Sequence, residues 1–473
     1  LNNEGGTYVR VYNTVAAKRN ELVSVVIPSE LANKPINVVD SKGEIIASQT
    51  FDDTTDASKK IIFNASAPSI GYNTYHLQAG ASAMFKGATV KKLADGKYKI
   101  ETDLYAILID PAKGGVIKSL IAKKLNNKEF VDKGNLRGFN ELRGNFYKDG
   151  GFKSSEDHPA QVQVFANGPL QIEISIKGTI DNYPFTQYLT VGQSQQRIDL
   201  KVHIDWKGNP GIGEETLPGT YKWQNPKKAF YDDRYKLLAL FPLNLKGQKV
   251  FKNAPFDVTE SRLRNTFYNR WDSIKNNVIL NWVDVTDQQD KYGLALFTDH
   301  TTSYAHGTDF PLGLDVQYSG MGLWGRDYKI DGPTTINYSI LPHEGKWDKA
   351  HIWTAGTACA EPLITAVSSA KSTQNNASGS FITIDKPGFE ISSMTCDKDT
   401  LLIRIFNAEG DALPRKITFN GKITRVRLVE LNGMLKGDLR MVETGGQNTV
   451  INLAMPRYGI RTLKLTGVQA SKY

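Results

Sequence analysis

The most chemically varied stretch of the sequence is residues 299–331, DHTTSYAHGTDFPLGLDVQYSGMGLWGRDYKID. It brings Trp324, Arg326 and Asp327 together in a glycine-rich context, in which the backbone can approach a ligand closely. An indole offers a flat apolar face, and a guanidinium and a carboxylate offer directional hydrogen bonds. This mixture suits a sugar, which has apolar C–H faces and many hydroxyls. The same composition is also typical of a structural loop between two strands, which is the more common outcome.

Paired carboxylates are a second candidate for chemistry, because glycoside hydrolysis uses two of them. The most conspicuous pair is Asp232-Asp233, within FYDDR. Neighbouring residues on a strand point to opposite faces, so these two need not share one site. We therefore predict an ion pair with Arg234, or a role in a turn.

Histidines provide a third candidate. His300 and His306 are six residues apart, and Asp299 and Asp309 lie nearby, so this segment could supply metal ligands. Histidines of this kind more often make hydrogen bonds within a loop. Both interpretations stay open at the level of sequence.

Composition excludes several classes of protein. The 58 Lys and Arg residues outnumber the 49 Asp and Glu residues by only nine, and they are scattered, whereas a nucleic-acid interface would need a concentrated basic patch. No apolar stretch approaches the roughly 18 residues of a membrane span. Cys359 and Cys396 cannot make a disulfide scaffold or an all-cysteine zinc site. One bridge between them, across residues 370–380, is an open alternative, and free, buried thiols are the more common outcome. We therefore expect no nucleic acid partner and no membrane span.

Short segments of alternating polarity run through the whole chain and predict an all-β protein. Residues 198–204 (IDLKVHI) alternate strictly, and residues 237–241 (LLALF) form a short apolar run. No helical periodicity extends beyond about ten residues, and residues 362–370 come nearest to one. Antiparallel strands joined by short turns are the natural outcome.

Changes in composition divide the chain into domains. Residues 368–380 (SSAKSTQNNASGS) are small and polar, as in a linker. The predicted divisions are an N-terminal β-sandwich at 1–88, a large β domain at 89–370, a linker at 371–380 and a terminal β-sandwich at 381–473.

Several blocks, in order and spacing, resemble the C-terminal region of glycoside hydrolase family 38, the α-mannosidases. The blocks are YVRVYNTVAAKRNELVSVVIP (8–28), DPAKGGVIKSLIAKKLNNKEF (110–130), NGPL (167–170), IDWKGN (204–209), NAPFDV (253–258), NWVDVTD (281–287), YGLALFTDHTTSY (292–304), LPHEGKW (341–347), LIRIFNAEG (402–410) and GIRTLKL (459–465). Each block alone is weak evidence, but the ordered set is specific and extends over nearly the whole chain.

The resemblance implies a central β-supersandwich of the galactose-mutarotase type, flanked by smaller β-sandwiches. It also implies that an α/β-barrel and a three-helix bundle precede this region, as they do in family members. The barrel carries the nucleophile, the acid/base carboxylate and most zinc ligands, and the helical part supplies a histidine within a Q-H-H-D-A-type motif. No such motif occurs in these 473 residues, so neither catalytic residues nor zinc ligands are transferred to this chain.

Loops of the large β domain border the barrel's cleft in this family, and two loops here are the candidates for that role. The first is residues 136–157, with Phe146 and Tyr147. The second is residues 319–331, with Trp324, Arg326 and Asp327 among its side chains. The alternative is that these side chains only hold a domain interface.

The leading hypothesis is the C-terminal part of a bacterial-type retaining α-mannosidase. Its partners would be its own catalytic barrel and helical domain together with mannose-containing glycans, and zinc would be the cofactor of the full-length enzyme. We expect this chain alone to be inactive. Two alternatives remain: a stand-alone carbohydrate-binding β-sandwich protein, and a scaffold that only shields the barrel.

Overall fold

A computed structural model describes residues 6–52, 58–80, 85–214, 232–261, 263, 277–321, 327–368, 378–444 and 448–470. In these residues the regular secondary structure is almost entirely antiparallel strand, with one α-helix and short 3₁₀ turns, and the predicted all-β class is confirmed. The chain forms two compact units, residues 86–350 and residues 1–85 with 351–473. No helix among the described residues is long and apolar enough to cross a membrane. The predicted domain boundaries stay predictions.

The N-terminal part of the discontinuous unit is built from short strands. These are β1 (Thr7–Asn13), β2 (Arg19–Val26), β3 (Ile36–Val39), β4 (Ile45–Ile46), β5 (Ser48–Asp52), β6 (Lys59–Ala67) and β7 (Gly71–Ala79). Strand β1 alternates between buried and half-buried side chains along its whole length, which is the pattern of a strand with one face in a core. Strands β2, β6 and β5 form one sheet, and β1, β7, β3 and β4 belong to another.

Residues 86–350 form the larger unit. Its strands are β8 (Thr89–Lys92), β9 (Tyr98–Glu101), β10 (Tyr105–Asp110), β11 (Val116–Ala122), β12 (Lys128–Glu129), β13 (Glu141–Phe146), β14 (Gly151–Ser154), β15 (Gln161–Asn167), β16 (Gln171–Ile180), β17 (Tyr183–Gly192), β18 (Ile198–Ile204), β19 (Leu237–Phe241), β20 (Lys249–Ala254), β21 (Asp257–Ser261), β22 (Val278–Ile279), β23 (Trp282–Thr286), β24 (Tyr292–Thr298), β25 (Thr302–Gly307), β26 (Phe310–Gln317), β27 (Gly320–Met321), β28 (Asp327–Tyr328) and β29 (Thr334–Glu344). Short 3₁₀ turns lie at Pro111–Lys113, Ser155–Asp157 and Asp233–Tyr235.

Three sheets of this unit share one hydrophobic core, as the predicted supersandwich requires. The nine-stranded sheet has the order β15-β16-β17-β18-β29-β24-β23-β20-β21. The six-stranded sheet runs β14-β13-β19-β26-β25-β22, and the five-stranded sheet β12-β11-β10-β9-β8. Val202, Phe241 and Ile107, one from each sheet in that order, are at most 1% exposed in the same cluster. Burial of such side chains is the main stabilising term of this unit.

The rest of the discontinuous unit begins with the helix and ends in two sheets. The elements are α1 (Ile352–Ala360), β30 (Ile364–Ser368), β31 (Ser378–Ser380), β32 (Ile382–Ile384), β33 (Phe389–Asp397), β34 (Thr400–Asn407), β35 (Arg415–Phe419), β36 (Gly421–Lys422), β37 (Arg425–Val429), β38 (Leu435–Asp438), β39 (Met441–Thr444), β40 (Asn448–Leu453), β41 (Ile460–Thr466) and β42 (Gln469–Ala470). Strands β32-β35-β40-β39 and β33-β34-β41-β37-β38 make the two larger sheets, and β36 pairs with β42. Strand β30 pairs with β1, and β31 with β7.

Residues 362–370, the nearest approach to a helical pattern in the sequence, contain strand β30, because the backbone there pairs with β1; the helix lies just upstream, at α1. One sequence-based expectation is wrong in this unit. Both cysteines are free, as predicted, but Cys396 is exposed and Cys359 only half-buried. In the predicted linker 371–380, residues 371–377 lie outside the described part of the chain.

Candidate functional site

Ile212 joins the two loops that the sequence singles out. It forms one antiparallel bridge to Phe146, in residues 136–157, and another to Ser319, in residues 319–331. The bridge to Ser319 has two backbone hydrogen bonds, each with an N–O distance of 3.0 Å. The structure therefore brings the two predicted loops together, on either side of a single extended residue. The first is not an irregular loop along its length, because residues 136–157 contain strands β13 and β14, which pair with each other.

Tyr147 occupies the junction between these loops. Its backbone N–H donates to the Gly211 carbonyl at 3.0 Å, and its half-buried ring lies directly against Gly211. Its hydroxyl lies over Gly320, whose φ is +112°. A Cβ atom at Gly211 or Gly320 would overlap the tyrosine, and the φ of Gly320 is one that other residues rarely adopt. Both glycines are therefore needed for this position of the ring.

Phe146 lies beneath this junction and has no exposed surface. Its ring stacks on Tyr183, with centroids 5.6 Å apart, and Tyr183 packs against Trp206 at 5.2 Å. The Trp206 indole N–H donates to the Thr334 hydroxyl at 2.8 Å. Phe146 is thus part of the core that supports Tyr147, and its predicted contact with a ligand stays a prediction.

Asp327 lies on a two-stranded hairpin beside Tyr147. In this hairpin Met321 of β27 pairs with Asp327 of β28, and Gly320 pairs with Tyr328. Asp327 is exposed, and its carboxylate lies 3.8 Å from the ammonium of Lys329, which leaves it accessible to hydroxyl donors. Trp324 and Arg326, the other two residues predicted for this loop, lie outside the described residues.

Asp232 and Asp233 belong to two different ion pairs. Asp232 accepts a hydrogen bond from the Arg234 backbone N–H at 3.0 Å and binds the Arg234 guanidinium, so the predicted ion pair is confirmed. Asp233 instead lies 2.6 Å from the ammonium of Lys236. Lys236 also binds Asp315, at 2.9 Å.

Asp233, Lys236 and Asp315 form a buried charge cluster that sequence analysis missed. Ser303 donates to the Asp315 carboxylate, and the Asn277 amide donates to Asp233 at 2.6 Å. Burial raises the pKa of Asp315 to about 6, although the Lys236 charge opposes this rise. Burial also works to lower the pKa of Lys236, but the charges of Asp315 and Asp233 outweigh it and hold that pKa above its usual value. A lysine kept charged in this way is an ion-pair partner and not a nucleophile.

The histidines considered as metal ligands do not come together. His300 pairs with Asp299, with 2.6 Å between Nδ1 and Oδ1. His306 is buried, and its Nδ1 bonds the Phe310 carbonyl at 2.9 Å. Across the described ranges, no group of three or more His, Cys, Asp and Glu side chains lies close enough to hold a metal ion. The described residues therefore offer no fit for zinc.

A buried histidine–aspartate pair was also missed by sequence analysis. His343 Nε2 lies 2.8 Å from Asp284 Oδ1, and the two side chains are 4% and 0% exposed. They reach each other across strand β24, where Gly293 leaves room for the imidazole. Both residues belong to blocks that carry the family resemblance, NWVDVTD and LPHEGKW, which is the signal that could have found them.

Two solved structures share this architecture. An alpha-mannosidase from Enterococcus faecalis V583 aligns with 97% of this chain at 14% identity and a TM-score of 0.70. A glycosyl hydrolase family 38 protein from Enterococcus faecalis aligns with 97% at 13% identity and a TM-score of 0.67. The chain spans 56% and 58% of the lengths of these two proteins. A search of curated protein sequences gave no match.

A family model identifies the large β unit directly. The model of the glycosyl hydrolases family 38 C-terminal domain matches residues 100–315. These residues include most of the three sheets and the junction of Tyr147 with Gly211. The resemblance drawn from the sequence blocks is confirmed: residues 100–315 of this chain match the C-terminal domain of glycosyl hydrolase family 38, and the fold of the chain is that of the two solved structures.

Proposed function

We propose that this chain is the C-terminal part of a retaining α-mannosidase that hydrolyses terminal α-mannosides. The observation that carries the proposal is the family 38 domain, in a chain that aligns over 97% of its length with an alpha-mannosidase. The chain spans 56% of that protein, so the proposal assigns the bond-breaking chemistry to other parts of the enzyme.

Within this proposal, the junction of the two loops borders the substrate cleft. Tyr147 is the contact that the geometry supports best, because two glycines fix its ring and hydroxyl. Asp327 is exposed on the hairpin that contains Gly320 and can accept hydrogen bonds from sugar hydroxyls. Trp324 and Arg326 lie between β27 and β28 in the sequence and are proposed to complete this border. Phe146 is proposed to support this border from the core, by packing against Tyr183.

The catalytic step is proposed to take place outside this chain. Retention requires two carboxyl groups about 5–5.5 Å apart, one as nucleophile and one as acid and base. The conspicuous carboxylates here are engaged otherwise, Asp232 with Arg234 and Asp233 with Lys236. Zinc, which would position the sugar in the whole enzyme, is likewise proposed to be held by other domains.

The direct test compares the protein produced from its complete reading frame with the 473-residue chain, using an aryl α-mannoside. We expect the complete protein to cleave it with retention, as read from the first-formed anomer by NMR, and the chain alone to be inactive. Cleavage by the chain alone at an enzymatic rate would contradict the proposed division of roles. Saturable mannose binding by the chain alone, together with an inactive complete protein, would favour the carbohydrate-binding alternative.

The site is tested by Tyr147→Phe and Asp327→Asn in the complete enzyme. Tyr147→Phe removes a hydroxyl, and Asp327→Asn replaces one acceptor oxygen by a donor and removes the charge, so we expect kcat/KM to fall about 10-fold for each, which corresponds to about 1.4 kcal/mol. Asp309→Asn, at an exposed turn of the same unit, is the matched control and should leave kcat/KM unchanged. If both site variants lose stability and keep kcat/KM, the loops serve as scaffold only.

A further inference from the structure

Helix α1 begins without a cap of its own. The residue before it, His351, has a left-handed backbone (φ 56°) and makes no side-chain capping bond. The Glu409 carboxylate, from the connection after β34, supplies the cap instead. It accepts the backbone N–H groups of Trp353 at 2.6 Å and Thr354 at 3.2 Å, and its side chain is 1% exposed. A carboxylate here satisfies free donors and interacts favourably with the helix dipole.

A second carboxyl group, that of Glu390 on β33, lies within reach of the same helix. The Thr354 hydroxyl oxygen is 2.9 Å from Glu390 Oε1 and 3.1 Å from Glu409 Oε2. A hydroxyl has one hydrogen and can donate it to only one of two acceptors. Two ionised carboxylates would leave one short oxygen–oxygen contact without a proton. The geometry is satisfied when one carboxyl is protonated and donates to Thr354, which in turn donates to the other.

The surroundings identify Glu390 as the protonated group. Glu409 accepts two backbone N–H groups and lies 3.2 Å from His351 Nδ1, so its negative charge has donors. Burial raises the pKa of Glu390 to about 8; the Thr354 hydroxyl opposes this rise and the Glu409 charge adds to it.

The charged groups packed around the two carboxyls have other partners. Arg457 donates to the backbone carbonyls of Glu409 and Gly410, at 3.1 and 3.3 Å. Arg415 pairs with Asp411 at 2.8 Å. At the opposite end of α1, Arg19 pairs with Glu21 and donates to the backbone carbonyls of Ala358, in the helix, and Glu361, just after it.

We propose that Glu390, Thr354 and Glu409 form a proton-dependent latch that fastens the start of α1 to strand β33. With the proton on Glu390, one continuous chain of donors runs from Glu390 through Thr354 to Glu409. When the proton leaves at alkaline pH, two buried negative charges compete for one hydroxyl hydrogen. The latch then opens, and the first turn of α1 separates from β33.

The first test is the pH dependence of thermal stability in the full chain. A carboxyl whose pKa rises from 4.5 to about 8 on folding stabilises the protein fully below about pH 4.5, and this contribution is lost as pH rises towards 8. We expect the Tm of the wild type to fall across this window. Glu390→Gln keeps a hydrogen-bond donor without a titrating group, so its Tm should fall less. Glu44→Gln, an exposed residue of the same unit, is the control and should follow the wild type.

The second test reports on the helix itself. Cys359 lies in α1, and Cys396→Ser leaves it as the only thiol. Its rate of labelling by a thiol reagent is compared between wild-type Glu390 and Glu390→Gln at each pH, which removes the pH dependence of the thiol itself. We expect equal rates at about pH 6 and faster labelling of the Glu390 protein above the raised pKa of about 8. Equal rates at every pH, or a Tm profile that Glu390→Gln leaves unchanged, would overturn the proposal.

Discussion

Two buried carboxyl pairs, one in each compact unit, are neutralised in different ways. Asp233 and Asp315, in the larger unit, share the ammonium of Lys236. Glu390 and Glu409, in the discontinuous unit, share the hydroxyl of Thr354. A lysine is positively charged throughout the physiological pH range and neutralises the carboxylates next to it. A threonine carries no charge, so one of the two glutamates must be neutralised by binding a proton. The stability of the lysine cluster should therefore depend on the presence of the Lys236 side chain, and the stability of the latch should depend on pH.

The largest expected effect follows from removing the cation. Lys236→Met leaves the carboxylates of Asp233 and Asp315 without a cation, with only the neutral donors Asn277 and Ser303, and we expect it to lower the free energy of unfolding by about 3–5 kcal/mol. Urea denaturation of the full chain measures this. Lys249→Met is the matched control, because it breaks the more exposed pair with Asp290 and should cost about 0–1 kcal/mol. Equal losses in both variants would mean that the buried cluster has no special role in stability.

A smaller effect is expected on the pH dependence of stability, which should differ between the two carboxyl pairs. The raised pKa of Asp315, about 6 against the usual 3.8, means that its contribution to stability is lost as pH rises between those values and is constant above them. Asp315→Asn should therefore flatten the pH dependence of unfolding only below about pH 6, by up to about 1.4 kcal/mol per pH unit. Glu390→Gln should flatten it up to about pH 8. If both variants flattened the pH dependence over the same pH range, the proposed difference between the two carboxyl pairs would be wrong.

The smallest expected effect tests the shared hydroxyl. Thr354→Val keeps the shape of the side chain and removes the hydrogen bonds to both carboxyls, so we expect a loss of about 1–3 kcal/mol at neutral pH. Thr357→Val, on the same helix, removes one bond to the Trp353 carbonyl and is the control, with an expected loss of about 1 kcal/mol or less. A Thr354→Val protein as stable as the control variant would show that the latch does not hold α1.

Sequence patterns predicted correctly those features that depend on residues close together along the chain. Residues 198–204 and 237–241 were predicted as strands, and both predictions are confirmed as β18 and β19. The pairing of Asp232 with Arg234, two residues away, was predicted for the same reason. Period-two alternation and short-range charge pairs are local signals, and they survive in a single sequence.

What could not be predicted depends on residues that meet only in the fold. Nothing near Tyr147 in the sequence indicates that Gly211 and Gly320 make room for it. Glu390 and Glu409 have no pattern in common, and their environment is created by a helix more than 30 residues upstream. In both cases the physical cause is a contact between distant segments, and a local pattern has no access to it.

The pairing of β30 with β1 also has a consequence for biosynthesis. The two strands are separated by roughly 350 residues, so β1 leaves the ribosome long before its partner exists. At the usual ~5–20 residues per second, that edge of β1 stays unpaired for on the order of 20–70 s while the whole of residues 86–350 is translated. An open edge of this kind can pair with a neighbouring chain. The nascent protein is therefore most vulnerable to aggregation in this interval, and any product that stops before Ile364 retains the open edge permanently.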